Sequence, residues 1–447
     1  MISRANLLVL FLCATAAAGE EKPARPYRDD PAIAAKIKAL GARAGLMLGK
    51  FKVMPKGAPA KGPGRRDYGN KMAYAPDRGT ALYCGGNHDS PHRKNDAWEF
   101  HLGSNTWHLV CPAGNDYRRF NNYVKKAKKD KAFKEKEFPA LAKKWWSTCE
   151  MTKEGYLGAI KGKGPVNPRH TWDGLTYDEH TGRMYWAVLD FGHASKVKQY
   201  ARYTGQDEAK LIAKIKPASS MYMYDVRKKR WFRQAGKAPF PRMHGMGGSL
   251  LYLSDIKKTI WYIYALNRTP NDIGMWSYDA ETNTWKELIS HKKLRGMVHS
   301  RKLAPGCELQ SAYSVKHKKI VSVQAKGTFV YDVPENSWKR VAATPGYGHD
   351  SHGVFAYDSN ADVFLLVSRS SNRARNEPWK LHAYDLKTDK WETVKVKGSP
   401  VPDDSKRKAW LKYSFTGYYD AGNNVFSLYE GRYSRTWVYR HAATKSK

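Results

Sequence analysis

The sequence predicts an all-β chain: a six-bladed β-propeller of four-stranded antiparallel blades, with an N-terminal strand closing the last blade and helical insertions. Three observations carry this. An aromatic residue stands seven positions before a Trp at five places, the last four Trp recur at intervals of 54, 53 and 53 residues, and a Tyr-bearing hairpin precedes each pair. A unit of that length cannot bury its apolar face alone, so it stacks on copies of itself.

The five pairs are Phe100 and Trp107, Tyr224 and Trp231, Tyr278 and Trp285, Tyr331 and Trp338, Tyr384 and Trp391. In four of them the aromatic is Tyr followed by Asp, and turn pairs such as Asn283-Thr284 and Asn336-Ser337 precede the Trp. Two antiparallel strands joined by a tight polar turn need this spacing. The upstream hairpins open on strands bearing Tyr74, Tyr177, Tyr252, Tyr313, Tyr357 and Tyr419. Turns such as Pro76-Asp77-Arg78-Gly79 and Asp358-Ser359-Asn360-Ala361 follow them. Each repeat therefore supplies four strands.

Gly85-Gly86, Asn95-Asp96, Phe100 and Trp107 stand in the order of the Kelch motif, and residues 67–441 resemble the Kelch-type propellers. Blades two to five keep the Tyr-Asp and the Trp but lose the double Gly at that place; in blade three, Gly247-Gly248 falls on the first strand. The resemblance speaks to fold, because propellers host unrelated activities.

Tyr439 holds the aromatic position of blade six, and its Trp partner would fall at residue 446. A propeller avoids a long exposed edge by closing its ring. The segment Lys50-Phe51-Lys52-Val53, followed by Pro55, resembles the outer strands Trp107–Val110 and Trp338–Val341. Residues 49–55 are therefore expected as the outer strand of blade six, and Pro31–Leu48 as a short helix on the rim. The expected organisation is a leader over 1–18, an extension over 19–48 and the propeller over 49–441.

Arg4, the apolar run Leu7–Cys13 and the small residues Ala14, Ala16, Ala17 and Ala18 read as a secretory signal. The run is too short to span a bilayer, and no later segment is a membrane-span candidate. A secreted or periplasmic location is expected. Cys84, Cys111, Cys149 and Cys307 follow the leader; in an exported chain they permit disulfides, with Cys111–Cys149 favoured as a staple and buried thiols as the alternative.

Lys and Arg number 78 against 41 Asp and Glu, a formal charge of +37. Such a surplus concentrates anions at the surface and speeds their association. For an exported chain the expected partner is an acidic polysaccharide or another extracellular polyanion rather than nucleic acid. Two insertions, 112–166 and 192–218, break the repeat, and loops this long in compact domains usually carry function. Residues 115–149 hold eleven Lys or Arg, four Asp or Glu, and the aromatics Tyr117, Phe120, Tyr123, Phe133, Phe138, Trp145 and Trp146. Lys125–Lys136 reads as an exposed helix, with Lys125, Lys126, Lys128 and Lys129 as anion-binding candidates; Ala209–Ile215 also reads as helical. The aromatics are expected either to stack on sugars or to pack the insertion onto blade one.

The leading residues of each first strand should face one mouth of the channel. They are Asp67 and Tyr68, His170 and Asp173, Arg242 and His244, Glu308 and Gln310, His349, Asp350 and His352, then Lys412 and Tyr413, with His193 within reach. In a catalytic reading His170, His193 or Tyr68 would carry protons, with His244 beside them, while Arg242 neutralises a substrate carboxylate. Asp173, Glu308, Gln310, His349, His352 and Tyr413 would bind substrate. His170, His244, Glu308 and His349 or His352 could instead ligate zinc or manganese, although no short ligand spacing supports this. The plain structural reading is that these groups bond across the channel and hold the blades together.

Two functions compete. The first is an exported propeller that binds an acidic polysaccharide. The second is a carbohydrate-active enzyme at the mouth, a uronate lyase or sugar-acid epimerase, since some lyases and the sialic acid mutarotases are propellers. The sequence identifies no cofactor. Copper radical chemistry, found in other Kelch propellers, needs a Cys–Tyr crosslink beside His and Tyr ligands, and no such set surrounds Cys84.

Overall fold

The computed structural model describes residues 25–64, 66, 69, 71–85, 95–114, 117–153, 155–166, 171–187, 193–215, 221–234, 248–263, 274–299, 309–324, 327–345, 353–369, 377–402, 415–431 and 433–444. Six sheets, antiparallel in their main strands, form the ring of a β-propeller. Blade one comprises Ala73–Ala75, Thr80–Cys84, Ala97–His101 and Thr106–Cys111, and blade two Leu175–Asp178, Arg183–Trp186, Tyr222–Asp225 and Arg230–Arg233. Blade three comprises Gly248–Leu253, Lys258–Ile263, Gly274–Asp279 and Thr284–Ile289, and blade four Gln310–Ser314, Lys319–Gln324, Gly327–Asp332 and Ser337–Ala342. Blade five comprises Val354–Asp358, Val363–Ser368, Lys380–Asp385 and Lys390–Thr393. Blade six holds Phe415–Asp420, Val425–Glu430 and Arg435–Arg440. The first strand of each blade neighbours the first strand of the next, and that of blade six neighbours that of blade one.

All five aromatic–Trp pairs are direct cross-strand partners on strands three and four of their blades. In blades three to five the Tyr hydroxyl reaches the turn residue five positions on: Tyr278 donates to Asn283, Tyr331 to Asn336 and Tyr384 to Asp389. Each of those turn residues has a positive φ, a conformation that Asn and Asp tolerate better than other side chains. The Asp after each Tyr accepts from turn N–H groups, as Asp279 does from Glu281 and Asp385 from Lys387. The Tyr-Asp dipeptide is thus a turn-closing device, and its recurrence reflects hairpin geometry.

Gly85 explains half of the double glycine in blade one. Its φ is +82, and a Cβ there would lie 2.0 Å from the Thr171 hydroxyl at the head of blade two. Its carbonyl accepts from buried Arg66, which also pairs with Asp96 at 2.8 Å. Asp96 in turn accepts from Trp98 Nε1.

The N-terminal segment differs from expectation in its bounds. Helix α1 is confined to Pro31–Lys38, N-capped by Asp30. Ala44–Lys50, not 49–55, pairs antiparallel with Arg435–Arg440 of blade six. Gly45 lies opposite Tyr439, where the other blades have Trp. The Trp437 ring occupies that space, since a Cβ on Gly45 would sit 2.8 Å from it. Lys52–Met54 then joins blade one as a parallel strand beside Thr106–Cys111. Phe51, at the crossing between the two blades, packs against Tyr429 with ring centroids 5.4 Å apart.

The first insertion folds into α2 (Tyr117–Ala127), α3 (Lys131–Lys136), α4 (Phe138–Trp146) and a hairpin of Cys149–Met151 with Leu157–Ala159. The expected single helix over Lys125–Lys136 is broken where Asp130 caps α3 through the Phe133 N–H. The second insertion contributes α5 (His193–Thr204) and α6 (Glu208–Lys214). These helices share one apolar core built on Phe120, Trp145, Trp146, Val197, Tyr200 and Leu211.

The favoured Cys111–Cys149 disulfide is not formed, and Cys84, Cys111 and Cys149 are buried thiols. The two thiols belong to different cores. Cys111 ends a blade strand and accepts from Trp231 Nε1 at 3.3 Å, whereas Cys149 lies in the helical core. Burial pushes the Cys111 thiol up to about 12.

Candidate functional site

Two places bear on function: the part of the central channel that the described residues build, and the surface of the helical insertions.

Within the channel, Lys71 precedes the first strand of blade one and Asp173 that of blade two. Lys71 Nζ stands 3.4 Å from Asp173 and donates to the Leu250 carbonyl of blade three at 3.0 Å. The Ser249 hydroxyl donates to Asp173, and the Ser311 N–H of blade four donates to the same oxygen at 3.0 Å. Ser311 and Tyr262 are joined through their hydroxyls. Four blades thus meet on one buried carboxylate. Burial raises Asp173 to about 6 despite the opposing pull of Lys71, and burial lowers the Lys71 ammonium. Gln310 likewise bonds across blades, its amide donating to the Gly353 carbonyl at the head of blade five. Asp173 and Gln310, both substrate-binding candidates, each bond from one blade to another. Asp173 is only 3% exposed and has its oxygens engaged.

Tyr68, His170, Arg242, His244, Glu308, His349, His352 and Tyr413 lie outside the described residues. His193 opens α5, and its side chain also falls outside them. The acid–base and metal-ligand sets therefore fall outside the described geometry. Among the described residues no group of three His, Cys, Asp or Glu side chains could hold a metal ion.

The helical insertions give a clearer result. Phe120, Phe133, Trp145 and Trp146 are buried, and Phe138 is half-buried against the same core. Phe120 stacks on Trp145 with centroids 4.1 Å apart, and Trp146 meets Tyr200 of α5 edge-on. For these five rings neither expectation holds: they pack on one another and, through Phe138–Tyr203 and Trp146–Tyr200, on the second insertion, and not outward for sugar stacking or onto blade one. The lysines take the opposite face. Lys125, Lys126, Lys128 and Lys129 are exposed, as are Lys131, Lys134, Lys136, Lys143 and Lys144. None of these nine forms an ion pair with a described residue. Lys126 caps the Phe133 ring at 4.0 Å. The lysine face extends beyond Lys129 along α3, through Lys131, Lys134 and Lys136, to the adjacent pair Lys143 and Lys144 in the last turn of α4.

The fold defines the class: a six-bladed β-propeller carrying a basic helical insertion unit. No family model matches the chain, and no curated protein matches it. Among solved structures it is similar to an auxiliary nutrient binding protein from Bacteroides ovatus, at 8% identity and a TM-score of 0.32. That match covers 61% of this chain, which spans 58% of the other's length. A likeness of that size carries no argument about function.

Proposed function

We propose that this chain is an exported propeller of the Kelch type that binds an acidic polysaccharide through the lysine face of its helical insertions. The observation carrying the reading is that face: nine exposed lysines without a carboxylate partner among the described residues, on helices anchored by a buried aromatic core. Exposed cations that are not neutralised locally attract a linear polyanion and displace its counterions on contact. Helices packed on a core present those charges in a fixed array, which reduces the ordering cost of binding. The leader-like N-terminus directs the choice of partner towards an extracellular glycan, and the Tyr-Asp and Trp spacing supports the Kelch assignment.

The test is binding of the purified protein to polygalacturonate, alginate and a neutral glucan across a salt series. Binding to the two uronate polymers, absent for the glucan and weakening steeply with salt, supports the reading. Equal binding to the glucan, or affinity that survives 0.5 M salt, where the screening length is about 4 Å, rejects it.

A further inference from the structure

A cleft of about 410 Å3 opens where the small hairpin of the first insertion meets blade two. Its volume lies within the range of small-molecule sites. The lining carries three cations, Lys153, Lys163 and Arg230, against one carboxylate, Glu150. Lys163 is already paired with Glu150. Lys153 and Arg230 are exposed, and neither has a carboxylate partner among the described residues.

The walls are fixed by hydrogen bonds. The Thr152 N–H and hydroxyl both donate to the Tyr156 carbonyl, at 2.9 and 3.0 Å. The Tyr156 hydroxyl donates to the Lys163 carbonyl at 2.6 Å. On the blade side the Arg230 guanidinium lies over the Phe232 ring, 4.4 Å from its centroid. Along the chain the cleft follows the lysine-bearing helices: Glu150 comes shortly after α4, whose last turn carries Lys143 and Lys144.

We propose that this cleft is a subsite for the carboxylate of one uronate unit, held by Arg230 and Lys153. The inference rests on the polysaccharide reading and deepens it by naming the sugar class and its seat. A guanidinium offers a planar pair of donors that matches a carboxylate, while Lys153 adds a point charge. The Glu150–Lys163 pair supplies an acceptor and donors within reach of ring hydroxyls. The lysine face gathers the polymer, and the cleft selects for carboxylated units along it.

Calorimetry with a galacturonate tetrasaccharide tests this, using the full chain, the double variant Lys153→Ala with Arg230→Ala, Arg230→Lys, and a variant with Lys125, Lys126, Lys128 and Lys129 all changed to Ala. The cleft variant should bind the tetrasaccharide at least tenfold more weakly while retaining most polymer affinity. Arg230→Lys should fall between it and the parent. The four-lysine variant should do the reverse, losing polymer affinity and keeping the tetrasaccharide. Unchanged tetrasaccharide affinity in the cleft variant overturns the subsite, as does a parent that binds polymer but no tetrasaccharide; in both cases the polymer reading stands. Tetrasaccharide binding without polymer binding leaves the cleft and rejects the lysine face, and binding of neither rejects both. Lys153 and Arg230 are exposed, so a melting curve close to the parent's is expected and verifies that the variants fold.

Discussion

Tyr331 and Trp338 face each other across strands three and four of blade four with ring centroids 5.1 Å apart, and the Tyr331 hydroxyl reaches back to Asn336 in the turn between them at 2.7 Å. Asn336 has φ +48 and donates through its own amide to Leu288 of blade three at 2.9 Å. A single side chain thus closes one hairpin and ties it to its neighbour. Asn336→Ala should cost about 1–3 kcal/mol, losing two hydrogen bonds and placing a Cβ-bearing residue without a stabilising side chain at positive φ. Asn336→Gly should cost less, because it relieves the backbone part. Equal losses for the two variants, read from denaturant unfolding, would show that backbone conformation contributes nothing there.

The strand Ala44–Lys50 covers the outer edge of Arg435–Arg440. Removing residues through Lys50 should uncover that edge and lower the Tm by ~10 °C or more, with aggregation on heating. A truncated protein that melts with the parent would show that blade six stands without this strand.

Asp173 gives a pH dependence of definite sign. Its folded pKa of about 6 lies above the ordinary 3.8, so between those values the folded state holds the proton that the unfolded state has lost. Stability contributed by this group is therefore fully present below about pH 4 and falls as pH rises through 6, by on the order of 3 kcal/mol. Relative to a double variant with Lys71→Met and Asp173→Asn, the parent should lose stability between pH 4 and 6. A constant difference across that window would mean that the carboxylate does not titrate there.

Much of this was legible in the chain and some was not, for identifiable reasons. The seven-residue aromatic–Trp interval is dictated by a hairpin's register, so it read directly as strands. The closing segment was misplaced because Lys50-Phe51-Lys52-Val53 has strand-like alternation, yet Phe51 sits at the crossing between two blades. The insertion's rings were misassigned because an amphipathic helix looks the same whether its apolar face meets a ligand, a blade or another helix. The partner of Trp146 is Tyr200, outside any local window. At a strand head such as that of Asp173, a carboxylate that bonds across blades and one that binds a ligand share the same sequence pattern.

Changing Lys125, Lys126, Lys128 and Lys129 to Ala should weaken uronate polymer binding at least tenfold near 0.15 M salt and flatten its salt dependence. The melting curve should stay close to the parent's, since all four side chains are exposed. Retained affinity with an unchanged salt slope would remove these lysines from the binding surface.

Cys84, Cys111 and Cys149 should resist alkylation in the native protein and react once it is unfolded, because all three are buried and the Cys111 thiol is held up to about 12. Peptide mapping without reductant should show no Cys111–Cys149 crosslink. Recovery of that crosslinked peptide from freshly purified protein would contradict the assigned thiols.

The common core of the two insertions bears on how this propeller could be remodelled. Val197, Tyr200 and Leu211 from one insertion share a core with Phe120, Trp145 and Trp146 from the other. Excising either segment alone would leave the survivor with a bare greasy flank, a liability for solubility and not a smaller working module. The pair is therefore one cassette in two pieces of chain, to be gained, lost or transplanted together. An engineer moving the basic surface to another scaffold would have to carry both loops and the spacing of the blade strands that hold their ends.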